Sequence, residues 1–443
     1  MISSKSSREE VNVVHTTTVT FKEAFLFWLK LGFINFGGPA GQIAMMHREL
    51  VERKRWITEE LFFRALNFCM MLPGPEAQQL AVYIGWRLHG TLGGVIAGAF
   101  FVIPSVFVLL ALSWLAVTHA DVPAVAGLFY GIQPVVVAIV AEAVLRIGGK
   151  TLRHPLLLFF AAAAFIALHF ISLPFPLVIL TAALVGVILQ RFRPRVFAPD
   201  EQQPQQLDHG IHAGSDKAGY PSFNRTLKTC SVFLIMWALP VGGLWFWRGS
   251  DDVLFQEALF FTKAAFITFG GAYAVLSYIA DMAVNHFAWL DATQMVLGLG
   301  LAESTPGPLI MVTQYVGFLG AWKFHGGINP VVNGTLGAVI TTYVTFLPSF
   351  FFIFVGAPYI EALTGNRRLQ AALTSVTAAV VGVILNLAVF FGSRVVIRND
   401  GTMDGFALVV ALLSFLLICR FRLPIHILVL GGGVIGIAWR LLF

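Results

Sequence analysis

Residues 35–39 read Asn35-Phe36-Gly37-Gly38-Pro39, residues 72–75 read Leu72-Pro73-Gly74-Pro75, and both motifs return later in the chain. Phe36-Gly37-Gly38, Trp56 and Pro73-Gly74-Pro75 recur as Phe269-Gly270-Gly271, Trp289 and Pro306-Gly307-Pro308, all displaced by the same 233 residues. After a shift of register, Gly90-Thr91-Leu92-Gly93 recurs as Gly334-Thr335-Leu336-Gly337, and Pro104-Ser105 as Pro348-Ser349. A constant offset over such a length marks an internal duplication. Gly/Pro-interrupted apolar segments at equivalent places in two halves point to a transporter with its site at the repeat interface.

The rest of the chain places this duplication in a bilayer. It is 57% hydrophobic and 12% charged, where soluble domains carry about 25% charged residues. Apolar stretches at 93–117, 122–145, 331–355 and 369–391 are each long enough to span, since a membrane helix needs about 20 residues. The stretch 156–189 suits two spans broken at Leu173-Pro174. The fold class expected is an all-α polytopic membrane protein of two homologous halves, each with broken or re-entrant helical hairpins plus full spans.

Four regions follow: a polar tail over 1–20, a first repeat over 21–190, a linker over 191–228 and a second repeat over 229–443. The tail lacks the apolar core and cleavage site of a secretory signal and is expected to stay in the cytoplasm. Cys69, Cys230 and Cys419 lie in apolar context and suggest no disulfide framework. His209 and His212, in the linker without Cys or carboxylate company, read as solvated rather than as a metal site. The net charge of +6 reads as positive-inside topology, not as a nucleic-acid patch.

Charge also orients the halves. Arg48, Arg53, Lys54 and Arg55 connect the two motifs of the first half, whereas the equivalent loop from Asp281 to Asp291 has no Lys or Arg. Basic loops stay inside, so the two loops are expected on opposite faces, with an extra span near 232–247 inverting the second half. The pieces 22–36, 40–52, 58–72 and 76–88, with their mates from 255 to 322, offer too few helical positions to cross a hydrocarbon core of about 30 Å. They read as helical hairpins dipping in from one face.

Such breaks create helix starts within the membrane, near residues 38–42, 75–79, 271–275 and 308–312. Each leaves backbone N–H groups unsatisfied and carries about half a positive charge, a ready anion site. The cradle is expected at Gly37, Gly38, Gly74, Gly270, Gly271 and Gly307. Pro39 and Pro75 suit a first helical turn; Ala272 stands where the first half has Pro39.

Lys30 and Lys263 are repeat mates in apolar runs, and an intramembrane cation is usually functional. They either flank the cradle or snorkel to the nearer interface. Asn35, Gln42, Gln78, Gln79, Thr268, Ser304, Thr305, Thr313 and Gln314 either replace water around a ligand or satisfy broken-helix backbone. Of the carboxylates, Glu76 sits where a helix dipole favours it, Glu303 precedes the second Pro-Gly-Pro, and Glu142 approaches Arg146; each is a candidate proton-coupling group or a structural partner. No nucleophile, P-loop or metal-spacing motif is present, so neither an enzyme nor a cofactor is expected.

At these residues the chain resembles the chromate ion transporter family in its long, two-domain form. The likeness rests on Asn35-Phe36-Gly37-Gly38-Pro39 with Trp56, on Leu72-Pro73-Gly74-Pro75, on the turn at Gly90–Gly94 and on their second-half versions, and covers all but the tail and linker. The resemblance implies chromate efflux from the bacterial cytoplasm across the inner membrane, with sulfate as a competing tetrahedral oxyanion. A sulfate-type importer or exchanger and a passive anion channel are the alternatives. A homodimer is expected for this kind of fold.

Overall fold

A computed structural model describes residues 19–197, 223–360, 366–398 and 400–442. Residues 1–18 of the tail, and His209 and His212 of the linker, lie outside them. Sixteen α-helices and no strand are found among the described residues. Six helices are long and apolar enough to cross a membrane, and the protein is a multi-pass membrane protein.

The first half begins with short helices α1 (Phe21–Ile34), α2 (Gly38–His47) and α3 (Glu59–Cys69). Thr20 caps α1 with a capping box closed by Glu23, and Thr58 caps α3. The Gly-Gly and Pro-Gly-Pro breaks keep each too short to span. α4 (Glu76–Thr118) follows, bent where His89 and Gly90 leave helical geometry. The segment before the bend, about 20 Å long at 1.5 Å per residue, is the fourth short piece expected from the sequence. α5 (Pro123–Thr151) is a full-length helix, and α6 (Pro155–His169) and α7 (Phe175–Gln190) divide the next apolar run at Pro174.

The second half opens with the extra helix α8 (Phe223–Arg248), which is almost wholly unburied. It then repeats the pattern with α9 (Val253–Phe266), α10 (Ala272–Asp281), α11 (Ala292–Ser304), α12 (Val312–Lys323) and α13 (Pro330–Gly356). α14 (Arg367–Val396), α15 (Gly405–Phe421) and α16 (Ile425–Leu442) complete it. Duplication reaches the level of single hydrogen bonds. Trp56 N–H donates to Leu50 O and its mate Trp289 N–H to Ala283 O, both at 2.8 Å, closing a π-helical turn in each half. Phe36 donates to Ile34 O and its mate Phe269 to Ile267 O in the same way.

Packing between the halves is also reciprocal. α5 packs on α15 and α16, while its counterpart α14 packs on α6 and α7. α4 meets α13, and α5 meets α14. Lipid tails offer no hydrophobic drive between helices, so close backbone approach through small residues does this work. At the α5–α16 contact, a Cβ on Gly131 would run into the carbonyl of Gly432 and lie 2.8 Å from Gly436 Cα.

The halves differ in burial. α1–α3 and the start of α4 share a separate apolar core around Trp28, Phe62 and Phe68, closed by Ile353 of α13 and Ala357 just after it. The second-half hairpins merge into the main core with α5, α13 and α14.

Gly131→Leu is expected to lower the detergent melting temperature, since overpacking costs about 1–3 kcal/mol. Gly149→Leu in the same helix, where a Cβ meets nothing within 4 Å, should leave the melt unchanged.

Candidate functional site

The two Pro-Gly-Pro turns meet the opposite halves, not their own. Gly74 N–H donates to Thr268 O at 2.9 Å, and its mate Gly307 N–H donates to Asn35 O at 3.3 Å. Asn35 and Thr268 are themselves mates at the 233-residue offset. A backbone N–H inside a membrane has no water to turn to, so each half supplies the other's missing acceptor.

Side chains tighten this exchange. Gln42 Nε2 donates to Asn35 O at 2.9 Å and to Gly307 O at 2.6 Å, bridging the halves. Ser105 Oγ donates to Pro306 O. A Cβ on Gly307 would collide with Ser105 Oγ, and one on Gly74 would stand 2.9 Å from Ser349 Oγ, the repeat mate of Ser105. Both glycines hold φ values closed to most side chains, 128° and 124°. Ser105 and Ser349 join the junction although the motif reading put neither there; their signal was the repeated Pro-Ser pair.

Of the polar groups at the breaks, most satisfy backbone. Gln79 Nε2 donates to Pro73 O, Thr268 Oγ1 to Ala264 O, Thr305 Oγ1 to Ala302 O, Thr313 Oγ1 to Ile310 O and Gln314 Nε2 to Val106 O. Gln78 differs. It is 0% exposed, and neither end of its amide finds a hydrogen-bond partner. Asn35 Oδ1, Gln42 Oε1 and Gln79 Oε1 are likewise unpartnered. Three amides with unspent hydrogen-bonding capacity, Asn35, Gln42 and Gln79, therefore gather at one buried junction, with Gln78 next in sequence to Gln79, and orphaned buried polar groups are rare without a reason.

The helix starts are partly filled from within. Pro39 lies in the first turn of α2, Pro75 is the residue before α4, and α12 begins as a tighter 3₁₀ turn at Leu309. Glu76 opens α4 and reaches toward α10: its Oε1 lies 3.6 Å from where a Cβ on Gly271 would be. A carboxylate of the first half thus faces the Gly270-Gly271 helix start of the second, where an anion is favoured. Close by in sequence, Tyr273 of α10 donates its hydroxyl to Glu303 Oε1 at the end of α11. The Glu142–Arg146 pair, 3.1 Å apart, lies within electrostatic reach of both.

Lys30 and Lys263 are both exposed, on the outward sides of α1 and α9. Gly37 is also exposed, while Gly38, Gly270 and Gly271 are half-buried. Arg64, exposed, pairs with Glu60 at 2.5 Å. A cavity of about 120 Å³ lies elsewhere, lined by Ser277, Tyr278, Asp281 and Asn386 and by none of the motif residues.

Comparison with known proteins gives this arrangement its context. The chromate transporter family profile matches residues 22–187 and 255–437, one match per half. The chain is 31% identical to the chromate transport protein of Pseudomonas aeruginosa over 94% of its own length and 92% of the relative's. It is 28% identical to the chromate transport protein of Cupriavidus metallidurans, covering 96% and 94%. A probable chromate transport protein of Synechococcus elongatus is 27% identical over 85% of each chain. No solved structure matches the chain.

Gly307→Ala is expected to cost about 1–3 kcal/mol from the imposed backbone conformation alone, with the collision at Ser105 added. Adding Ser105→Ala should recover the collision and not the strain, leaving the double variant between Gly307→Ala and wild type in thermal melts.

Proposed function

Because the chain belongs to the chromate transporter family, we propose that it exports chromate from the bacterial cytoplasm through the junction of its two halves and so confers chromate resistance. The observation that carries this reading is the reciprocal pair of bonds from Gly74 to Thr268 and from Gly307 to Asn35. It brings both Pro-Gly-Pro turns into contact with the opposite repeat, beside the under-bonded amides of Asn35, Gln42 and Gln79 and close in sequence to Gln78, which supports this reading.

In this reading the halves are inverted, the N-terminal tail and the linker are cytoplasmic, and the inner membrane holds the protein, as a homodimer. Chromate takes the positive helix starts at Gly37-Gly38 and Gly270-Gly271, with the turns at Gly74 and Gly307 and the side chains of Asn35, Gln78, Thr268 and Thr313 shaping the pocket. Gln78 is the prime contact, because its N–H groups are committed to nothing else. Glu76 acts as an internal stand-in for the anion at Gly271 and withdraws when chromate arrives. Lys30 and Lys263, exposed as they are, supply long-range positive potential or anchor their helices at the interface. Sulfate, with the same charge and shape, competes.

The direction follows from charge. One charge crossing 100 mV is worth about 2.3 kcal/mol, so a dianion leaving a negative-inside cell gains about 4.6 kcal/mol, enough for roughly three decades of gradient at 1.4 kcal/mol each.

Chromate flux in proteoliposomes under an imposed potential tests this. Saturable flux that follows the potential is expected, with Gln78→Leu reducing it by about 10- to 100-fold, the worth of a hydrogen bond to a charged ligand. Flux without saturation indicates a passive channel, and flux indifferent to the potential indicates charge-balanced exchange of the sulfate-transporter kind. Unaltered flux in the Lys30→Gln, Lys263→Gln double variant returns those lysines to an anchoring role.

A further inference from the structure

Glu257, in the second turn of α9, is 0% exposed, and neither of its carboxyl oxygens accepts a hydrogen bond. It is wedged between two glycines: Oε1 lies 2.5 Å from where a Cβ on Gly320 of α12 would be, and Oε2 lies 2.9 Å from the equivalent point on Gly337 of α13. The backbone N–H of Ala321 and the Asp252 carboxylate act on it electrostatically. A buried carboxyl without a counter-charge is expensive and calls for explanation.

Around Gly337, α13 carries a file of polar residues that winds slowly round the helix, each step of four residues overshooting one turn. Asn333, Thr341, Thr345 and Ser349 stand at four-residue intervals with Gly337 between the first two, covering about 24 Å of helix. All four are buried. Asn333 Nδ2 donates to Ala321 O at 2.7 Å, but its Oδ1 is unpartnered, as are the hydroxyls of Thr341 and Thr345. A helical threonine normally returns its hydroxyl to the carbonyl four residues back. Thr335 and Thr342 of the same helix do so, to Val331 O and Ala338 O, each at 2.7 Å. Thr341 and Thr345 keep theirs free. The file ends at Ser349, whose Oγ is the atom 2.9 Å from the Cβ position of Gly74. It therefore runs from Glu257 to the repeat junction.

The duplication supplies an internal control. At the 233-residue offset Glu257 corresponds to Ala24; at the later offset of 244 residues, Thr341 and Thr345 correspond to Ala97 and Phe101. Those positions are buried in the first half as well. At these three positions the fold closes the same helix contacts with apolar residues in the first half, so packing does not require polar ones here, whereas Asn333 and Ser349 have the polar mates His89 and Ser105.

We propose that Glu257 is a proton-binding site, and that Thr341 and Thr345 relay its proton along α13 to the junction, so that oxyanion passage is exchanged for protons. The proposal rests on the transport reading above. A proton is taken from water on one side as the carboxylate becomes the acid, and returns to water on the other as the carboxylate re-forms; nothing is consumed. The charged groups around Glu257 are otherwise engaged. Asp252 pairs with Arg248 of α8 at 2.8 Å, and Lys323 of α12 donates to Ala288 O at 2.7 Å. On α9 itself Lys263 is exposed, as is Asp281 of α10. Tyr273 of α10 is bonded to Glu303, Tyr343 of α13 donates to Met236 O, and Tyr278 of α10 stacks on Phe175. Tyr315 of α12 lies against Gly298 of α11, and the half-buried His325 occupies the α12–α13 turn.

The test uses the full chain in proteoliposomes enclosing a pH-sensitive dye, in alkaline buffer where chromate itself carries no proton. Chromate–chromate exchange and chromate-driven proton flux are measured for wild type, Glu257→Gln and the Thr341→Val, Thr345→Val pair. Wild type should show both activities. Glu257→Gln should keep exchange within about threefold of wild type while losing at least about tenfold in proton flux, as expected for a relay carboxyl. The valine pair, which leaves the carboxyl in place, should slow proton flux and spare exchange, and decides the matter should Glu257→Gln not fold. Chromate exchange in wild type without accompanying protons, or proton flux undiminished in the variants, overturns the proposal and leaves the transport reading standing. Absence of any chromate exchange in wild type brings down both.

Discussion

The fold depends on two backbone N–H groups that cannot be satisfied within their own half. A Pro-Gly-Pro turn interrupts the helical ladder where no water substitutes for the lost bond. Gly74 and Gly307 meet this by borrowing carbonyls across the repeat, from Thr268 and Asn35. The borrowing fixes much else. It requires the two Gly-Gly breaks to sit opposite the two Pro-Gly-Pro turns, explains why Gln42 spans both, and places Ser105 and Ser349 where only a residue without a Cβ fits opposite. A chain with one such half would leave a donor orphaned in the bilayer, so two copies complete each other.

Reciprocity does not make the halves equal. The first-half hairpins keep their own core, touching the rest chiefly through the far end of α13, whereas the second-half hairpins are continuous with the main body. Polar groups diverge between the halves as well. Tyr273, Glu303, Glu257, Thr341 and Thr345 of the second half have the mates Ala40, Met70, Ala24, Ala97 and Phe101, which cannot ionise or donate, and Gln42, Glu76, Gln78 and Gln79 of the first half have the apolar mates Val275, Leu309, Met311 and Val312. Duplication leaves each copy free to acquire its own polar groups on a shared scaffold. A hairpin unit with a separate core has fewer contacts to break when it moves, and the junction it would move against carries the titratable groups.

Much of this was legible in the chain. The offset of 233 residues located every short helix to within a few residues, because Gly-Gly and Pro-Gly-Pro terminate helices by local backbone chemistry that sequence records directly. The break of 156–189 at Pro174 and the extra helix before α9 were legible for the same reason. The family, too, could be recognised from Asn35-Phe36-Gly37-Gly38-Pro39 and its echo. What local chemistry could not provide was partnership across the repeat. Gln42, Gln78 and Gln79 look alike in sequence, yet Gln42 bridges the halves, Gln79 closes its own turn and Gln78, though buried, makes no side-chain hydrogen bond. Lys30 and Lys263 drew attention as intramembrane cations, but helix rotation is set by tertiary packing, and it turns both outward. Glu257 is not legible in the sequence because a single acid near the start of an apolar run carries no motif; its position shows only when Gly320 and Gly337 are brought against it.

A transporter's site must also let go. A lysine ammonium held against a dianion in a low-dielectric junction would bind it strongly and release it slowly, since the attraction between full charges grows as water is excluded. Amides and helix starts offer partial charges instead, enough to replace hydration but not to trap the ion, the balance that conduction demands. The orphaned amides at the junction fit that requirement better than the lysines do. Glu76 adds to this in the proposed cycle: its Oε1 stands 3.6 Å from where a Cβ on Gly271 would be, so its carboxyl would occupy that helix start when no anion is bound. An arriving dianion would then compete with it, and the difference between them, rather than the absolute strength of either, would set how readily the ion enters and leaves.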